Sequence, residues 1–279
     1  MKISSGQIVL LTGASGGLGT YMAQALAEKG AHLMLVAYPG VGLEELKRSV
    51  EKLGVRAIAL VADVRDPAQR RDIVDRTMKE FGRIDILINN AGIEFTCPYH
   101  ELPEQSVLDV LAVNLTAPMI LTHMVLPDML KRKSGFIVNI SSLAGKCGPA
   151  YQEPYAASKA GLINFTTSFR ATYKYSGVSA SVICPGFVEA GIYARLKDST
   201  GCAAPVLLGT VKPERVVRAV IRAIEKNRPE IIISKWPFRQ ILAFIAFFPS
   251  GGEWLIRATG AHDFFARIVA AQAKANKTH

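Results

Sequence analysis

Seven short runs rich in Val, Ile and Leu alternate with longer amphipathic segments along nearly the whole chain, and this alternation limits the folds open to it. The runs are 7–11, 32–37, 56–61, 84–88, 135–140, 179–184 and 230–233. They are almost continuously apolar, as strands are when helices cover both faces of a sheet. Helical periodicity marks 17–29, 42–53, 67–81, 104–131, 154–175 and 213–226 between them. In the third of these segments Asp66 can cap while Pro67 takes the first helical position. The pattern predicts an α/β fold, a doubly wound parallel sheet of about seven strands. No linker, repeat or low-complexity segment breaks it, so 1–234 is expected to be one domain and 235–279 a helical C-terminal extension of it.

Composition removes several function classes. At 49% hydrophobic and 20% charged residues, the chain has the make-up of a packed globular protein. Met1 to Ser5 run straight into the first strand pattern, which predicts no secretory leader and a cytoplasmic location. Cys97, Cys147, Cys184 and Cys202 form no CxxC or Cys/His cluster, so they read as small apolar residues. His100, His123 and His262 lack partners at metal-ligand spacing, and no metal is expected. The net charge of +10 is concentrated late: residues 212–279 hold 12 basic against 5 acidic side chains, residues 1–211 hold 21 against 18. No recognition motif accompanies that excess, so no nucleic-acid partner is expected.

The first strand runs into Thr12-Gly13-Ala14-Ser15-Gly16-Gly17-Leu18-Gly19, and a helix follows. Glycines there let the backbone turn tightly and approach a pyrophosphate, which the free N–H groups of a helix N-terminus stabilise. The spacing is not the common GxGxxG, and by itself it is also compatible with a plain glycine-rich turn.

The spacing does match TGxxxGxG, and further motifs follow in order: Asn89-Asn90-Ala91-Gly92, Asn114, Ser142, Tyr155-Ala156-Ala157-Ser158-Lys159 and Pro185-Gly186. Together they resemble the short-chain dehydrogenase/reductase family over roughly residues 7–234. The resemblance implies a Rossmann-type sheet and a nicotinamide cofactor. It places the pyrophosphate against Gly13, Ser15, Gly16, Gly17, Leu18 and Gly19, and the adenosine by Tyr38, Asp63, Val64, Asn90, Ala91 and Gly92. Pro185, Gly186 and Val188 would meet the nicotinamide, with Tyr155 and Lys159 completing the cofactor site. Asp63 also reads as a turn cap, and Ala190 stands where the family pattern PGxVxT has threonine. The second strand ends in Ala37-Tyr38-Pro39-Gly40, with neither the acid that selects NAD nor a basic residue that selects NADP. The missing acid tilts the expectation towards NADP, with NAD left open.

Tyr155 and Lys159 are four apart on a helix and share a face. A neighbouring ammonium, helped by the positive charge of an oxidised nicotinamide, favours a phenolate, so Lys159 and the cofactor together are expected to lower the Tyr155 pKa into a range useful for proton transfer. The resemblance makes Asn114, Ser142, Tyr155 and Lys159 catalytic: Ser142 holds the substrate oxygen, Tyr155 exchanges the proton, Lys159 also holds the ribose, and Asn114 holds a relay water. Ser141 is a rival hydroxyl, but thirteen residues separate Ser142 from Tyr155 as in the family; Tyr151 is a rival only if Lys159 is ignored.

In this family the segment after the PG motif governs specificity, here 189–211, with Cys147 to Glu153 as the other rim. Ile192, Tyr193, Leu196, Val206, Leu207 and Leu208 would make an apolar wall and favour a steroid-, retinoid- or lipid-like carbonyl or alcohol. Reduction of a 3-oxoacyl thioester is the alternative enzyme reading, disfavoured by the long tail. A non-catalytic cofactor-binding sensor or scaffold is the alternative from another class. The apolar run 241–248, with Arg239, Arg257, Arg267, Lys274 and Lys277 around it, is far below the ~20 residues of a membrane span. It reads either as a helix packed on its own domain or dimer partner, or as a peripheral membrane contact. The resemblance further implies a homodimer or homotetramer built on the helices near 114–131 and 155–175.

Overall fold

In the computed structural model, which describes residues 2–235 and 238–276, all seven expected strands form one parallel sheet. The order along the chain is β1 (Ile8–Thr12), α1 (Gly17–Glu28), β2 (His32–Ala37), α2 (Leu43–Glu51), β3 (Ala57–Val61), α3 (Pro67–Phe81) and β4 (Ile86–Asn89). Then come α4 (Glu104–Leu111), α5 (Ala117–Lys131), β5 (Gly135–Ile140), α6 (Glu153–Thr172), β6 (Val178–Pro185), α7 (Ile192–Thr200), α8 (Pro213–Lys226) and β7 (Glu230–Ile233). Three helices close the described chain: α9 (Phe238–Phe247), α10 (Pro249–Ala258) and α11 (Ala261–Asn276). Of the extension anticipated at 235–279, Trp236, Pro237 and 277–279, and with them Lys277, lie outside the described residues.

The strand order is β3-β2-β1-β4-β5-β6-β7. Winding therefore reverses between β1 and β4, and a crevice opens beyond the carboxyl ends of those strands. Side chains alternate between two cores. Val9, Leu11, Leu33 and Leu35 pack with Met22 of α1, Leu46 of α2 and Val220 of α8. Leu10, Met34 and Leu87 face the other way, onto Ile73 of α3, Leu121 and Val125 of α5 and Phe169 of α6. That two-sided burial explains the unbroken apolar runs. The expected cap on α3 is formed: the Asp66 carboxylate accepts from Ala68 N at 2.7 Å.

The helical stretch 104–131 is interrupted by a π turn over Ala112–Thr116, where Ala117 N donates to Ala112 O. The whole rod is long and apolar enough to cross a membrane by composition, but half of that window is buried in the domain, so it is a core helix. Two polar fastenings tie the layers together. Asn89 Nδ2 donates to Asn139 Oδ1 at 2.8 Å, and Asn139 Nδ2 donates to Thr166 Oγ1 at 2.9 Å, linking β4, β5 and α6. At the other end of the sheet, buried Asp85 accepts from Ile8 N at 2.9 Å, Arg83 Nε at 3.0 Å and Arg132 Nη1 at 3.1 Å. Replacing Asp85 by Ala strands those donors, and a loss of about 3 kcal/mol is expected. The check is urea unfolding, where the midpoint should fall while the slope stays unchanged.

Candidate active site

The glycine loop is shaped by close approach. Gly13 has φ +63, and a Cβ there would lie 2.8 Å from Ala91 Cα. At Gly19 a Cβ would run into the carbonyl of Gly13, so α1 can start against β1 only with glycine there. The hydroxyl of Thr12 donates to Ile88 O at 3.3 Å and accepts from Asn90 N at 3.1 Å and Ala91 N at 3.2 Å. Asn90 Nδ2 returns to Gly13 O at 2.9 Å. Asn90 thus holds the loop itself, and Thr12, given no role in the sequence reading, joins the two strand ends at the switch point.

A continuous cavity of about 930 Å³ runs from this loop to the C-terminal helices. Every anticipated site residue except Gly19 and Asn114 lines it. Gly19 is the helix–strand contact just described, and Asn114 stands directly behind the wall. The adenosine end is closed by Val36, Ala37, Tyr38 and Pro39, with no carboxylate among them. Asp63 is bound by Arg65, through the backbone N–H at 2.8 Å and Nη2 at 2.7 Å, and Arg65 also reaches Asp109 at 2.8 Å. Burial works upward on the Asp63 carboxyl, yet the Arg65 hydrogen bonds and charge hold it below its usual value. Arg65 was missed in sequence because its two partners lie on separate segments. Near the nicotinamide end, Glu189 N donates to Val211 O and Val211 N to Phe187 O. Val188 between them therefore turns its own N–H and C=O the other way. The glycine cradle and an α1 terminus with no side-chain cap fit a dinucleotide.

Beyond β5, Ser142 caps a short helical turn, its Oγ accepting from Ala144 N at 3.1 Å. It also stands near enough to Tyr155 to draw that phenol's pKa down. Ser141 is spent elsewhere, donating to Lys159 O at 2.8 Å, so the rival hydroxyl does not face the tyrosine. Tyr151 lies against His262, ring centroids 6.0 Å apart. Lys159 Nζ donates to Ile140 O at 2.9 Å and sits 5.6 Å from the centre of the Tyr155 ring. Asn114, in the π turn, accepts from Ile93 N at 2.9 Å and donates to Ile93 O at 2.8 Å and Ser158 Oγ at 3.2 Å. A Cβ placed on Gly92 would lie 3.4 Å from Asn114 Oδ1 and 3.5 Å from Lys159 Nζ, so these groups meet at one point.

The protein's own groups work against the expected lowering of the Tyr155 pKa, which leaves that task to the nicotinamide's charge. Burial pushes the Tyr155 pKa up to about 12, the Ser142 hydroxyl opposes that, and the charge of Glu94 adds to it. The same burial brings Lys159 down to about 8. Low-dielectric surroundings penalise both charged forms, and this is the largest influence on each group.

A match to the short chain dehydrogenase family model spans residues 7–200. The chain belongs to that family. It is an NAD(P)-dependent oxidoreductase acting between C=O and CH–OH groups. Among its relatives, ketoacyl reductase HetN of a Nostoc species is 39% identical over 269 residues, covering 95% of this chain and 93% of that protein. 3-Oxoacyl-[acyl-carrier-protein] reductase FabG of Escherichia coli is 34% identical over 193 residues, 69% of this chain and 78% of FabG. A phenylalanine-to-tryptophan variant of actinorhodin polyketide ketoreductase, solved with NADPH, superposes with TM-score 0.75 at 27% identity. It covers 82% of this chain and 96% of that one. The HetN alignment takes in most of the C-terminal extension, so the tail does not argue against a ketoacyl reductase, correcting the expectation drawn from it.

For this dehydrogenase, the depressed lysine has a consequence for stability. Between pH 8 and 10 the unfolded chain binds more protons at Lys159 than the folded one, so the burden of burying it lightens as pH rises. A Lys159→Met variant should melt above the parent at pH 7.5, and the gap should narrow by pH 10, as read by thermal unfolding across that range.

Proposed function

We propose that this chain reduces the 3-oxo group of an acyl thioester to a hydroxyl, with NADPH as the preferred donor. The observation that carries this is the similarity to a ketoacyl reductase through the extension as well as the catalytic core. The missing carboxylate after β2 and the NADPH-bound neighbour support the cofactor preference. Residues 1–234 make up the catalytic domain, and 235–279 extend it.

When bound, the nicotinamide supplies the hydride that adds to the carbonyl carbon. Gly13, Ser15, Gly16, Gly17, Leu18 and Gly19 would hold the pyrophosphate, and Tyr38, Asp63, Val64, Asn90, Ala91 and Gly92 the adenosine. Pro185, Gly186 and Val188 would hold the nicotinamide. Ser142 donates to the substrate oxygen and Tyr155 gives it the proton. Held near 12, the Tyr155 hydroxyl stays protonated at neutral pH, which suits a donor in the reductive direction. Lys159 holds the ribose and passes the proton on to Tyr155. The Asn114 side chain is committed to Ile93 and Ser158, so its relay water belongs at its backbone carbonyl.

An apolar ketone is the second reading, supported by the aromatic walls of Phe187, Tyr193 and Phe265. A cytoplasmic homo-oligomer joined through α5 and α6 accords with the exposure of Met119 and Ile120 on the outer face of α5. Peripheral membrane contact would use Phe247 and Trp254, which are exposed in the extension.

A Tyr155→Phe variant is expected to lose about 10²–10⁴ in kcat/KM for acetoacetyl thioester while binding NADPH as tightly as the parent. Turnover unchanged by that substitution would defeat the assignment. A binding protein without catalysis would show no thioester- or ketone-dependent NADPH oxidation at all. In the parent, reductive kcat/KM should be level below pH 8 and fall above it as Lys159 loses the proton it relays. A pH–rate profile in the reductive direction checks this.

A further inference from the structure

The specificity segment does not stand alone over the cavity. Phe187, directly after Pro185-Gly186, has its ring centre 5.2 Å from Tyr193 of α7 and 5.2 Å from Phe264 of α11. Phe265 is 6.2 Å from Phe187 and 5.0 Å from Phe264. Phe264 and Ile268 are fully buried in this cluster, which also takes in Leu196. Ala204 N donates to the Tyr193 hydroxyl at 3.0 Å and closes the loop after α7 onto it. An aromatic lock therefore joins three parts of the chain: the end of β6, α7 and the extension. Stacked and edge-on rings of this kind add to the area they bury.

On the cavity side of the lock, the extension contributes Ile256, Ala261 and Phe265 to the wall of the same cavity that holds Ser142 and Tyr155. All three are apolar, and among the described residues the extension brings no ionisable side chain to the lining. A surface like this offers no hydrogen bond to a thioester or phosphate group, and it gains only by removing hydrocarbon from water.

We infer that Ile256, Ala261 and Phe265 form the subsite for the apolar end of the substrate, so that the C-terminal extension sets the length of acyl chain the enzyme takes. The 3-oxoacyl identity of that substrate rests on the reading above; the apolar character of the subsite does not. Each methylene buried there should raise kcat/KM about fourfold until the subsite is filled. Ala261, the smallest of the three, is where added bulk would shorten the chamber; removing the Ile256 side chain would lengthen it.

The test is NADPH-dependent reduction of 3-oxobutanoyl, 3-oxohexanoyl, 3-oxooctanoyl and 3-oxododecanoyl N-acetylcysteamine thioesters by the parent, Ala261→Phe and Ile256→Ala enzymes. The ratio of kcat/KM for 3-oxooctanoyl to 3-oxobutanoyl should fall tenfold or more in Ala261→Phe. In Ile256→Ala the optimum should move to a longer chain. NADPH affinity and melting temperature, measured alongside, identify a variant that has merely lost its fold. The same thioesters titrated calorimetrically into the NADPH-loaded Tyr155→Phe enzyme, with and without Ala261→Phe, read chain-length dependence without turnover. Absent turnover with length-dependent binding that Ala261→Phe abolishes would sink the ketoacyl reading and keep the subsite. An unaltered length profile in folded variants, by either readout, overturns the subsite.

Discussion

Where β1 and β4 end side by side, the chain leaves the sheet towards opposite faces, and backbone groups at the split lose their sheet partners. The Thr12 hydroxyl closes that gap, donating to Ile88 O and accepting from Asn90 N and Ala91 N. Asn90 completes the knot by donating from its side chain to Thr12 O and Gly13 O. With the loop fixed, α1 can begin against β1 at Gly19, and its N-terminus points into the crevice. The whole cofactor end depends on this small polar cluster, because a buried backbone group without a partner costs about as much as a lost hydrogen bond.

The reacting end is governed by desolvation. Tyr155 and Lys159 share a helical face, Lys159 buried and Tyr155 half-buried, and desolvation pushes each towards its neutral form, the tyrosine to about 12 and the lysine to about 8. A helix surface would have left both near their ordinary values. Burial turns a commonplace Tyr–Lys spacing into a protonated acid beside a lysine able to titrate near physiological pH. The Asn114 clamp on Ile93 and the Ser141 bond to Lys159 O hold the two sides of that site at a fixed distance. Glu94, bonded by Thr96 at 2.6 Å and Gln152 at 2.8 Å, keeps a carboxylate close enough to discourage the phenolate further.

The extension belongs to the same physical economy. Its inner residues, Phe264, Phe265 and Ile268, are buried against the lid, while Phe247 and Trp254 of α9 and α10 remain exposed. A helix pair with one buried side and one open side acts as a wall where it touches the cavity. The apolar run at 241–248 contributes nothing to the cavity wall; its neighbours in α10 and α11 carry the contact with the site.

The strand–helix order, the apolar runs, the glycine loop and the shared face of Tyr155 and Lys159 were legible in the amino-acid sequence, because period, turn chemistry and i,i+4 spacing depend on neighbours a few residues apart. Asn114 and Ser142 were legible only through the family resemblance. Tertiary packing fixes that Arg65 bridges Asp63 and Asp109, that Thr12 serves β4 as well as β1, and that the Ser141 hydroxyl is committed to Lys159 O. It also fixes the direction in which Tyr155 titrates and brings Ile256 and Phe265 to the wall of the same cavity. Those outcomes arise between segments tens to more than a hundred residues apart. Burial and shared hydrogen bonds are properties of the packed chain, and no window of sequence contains them.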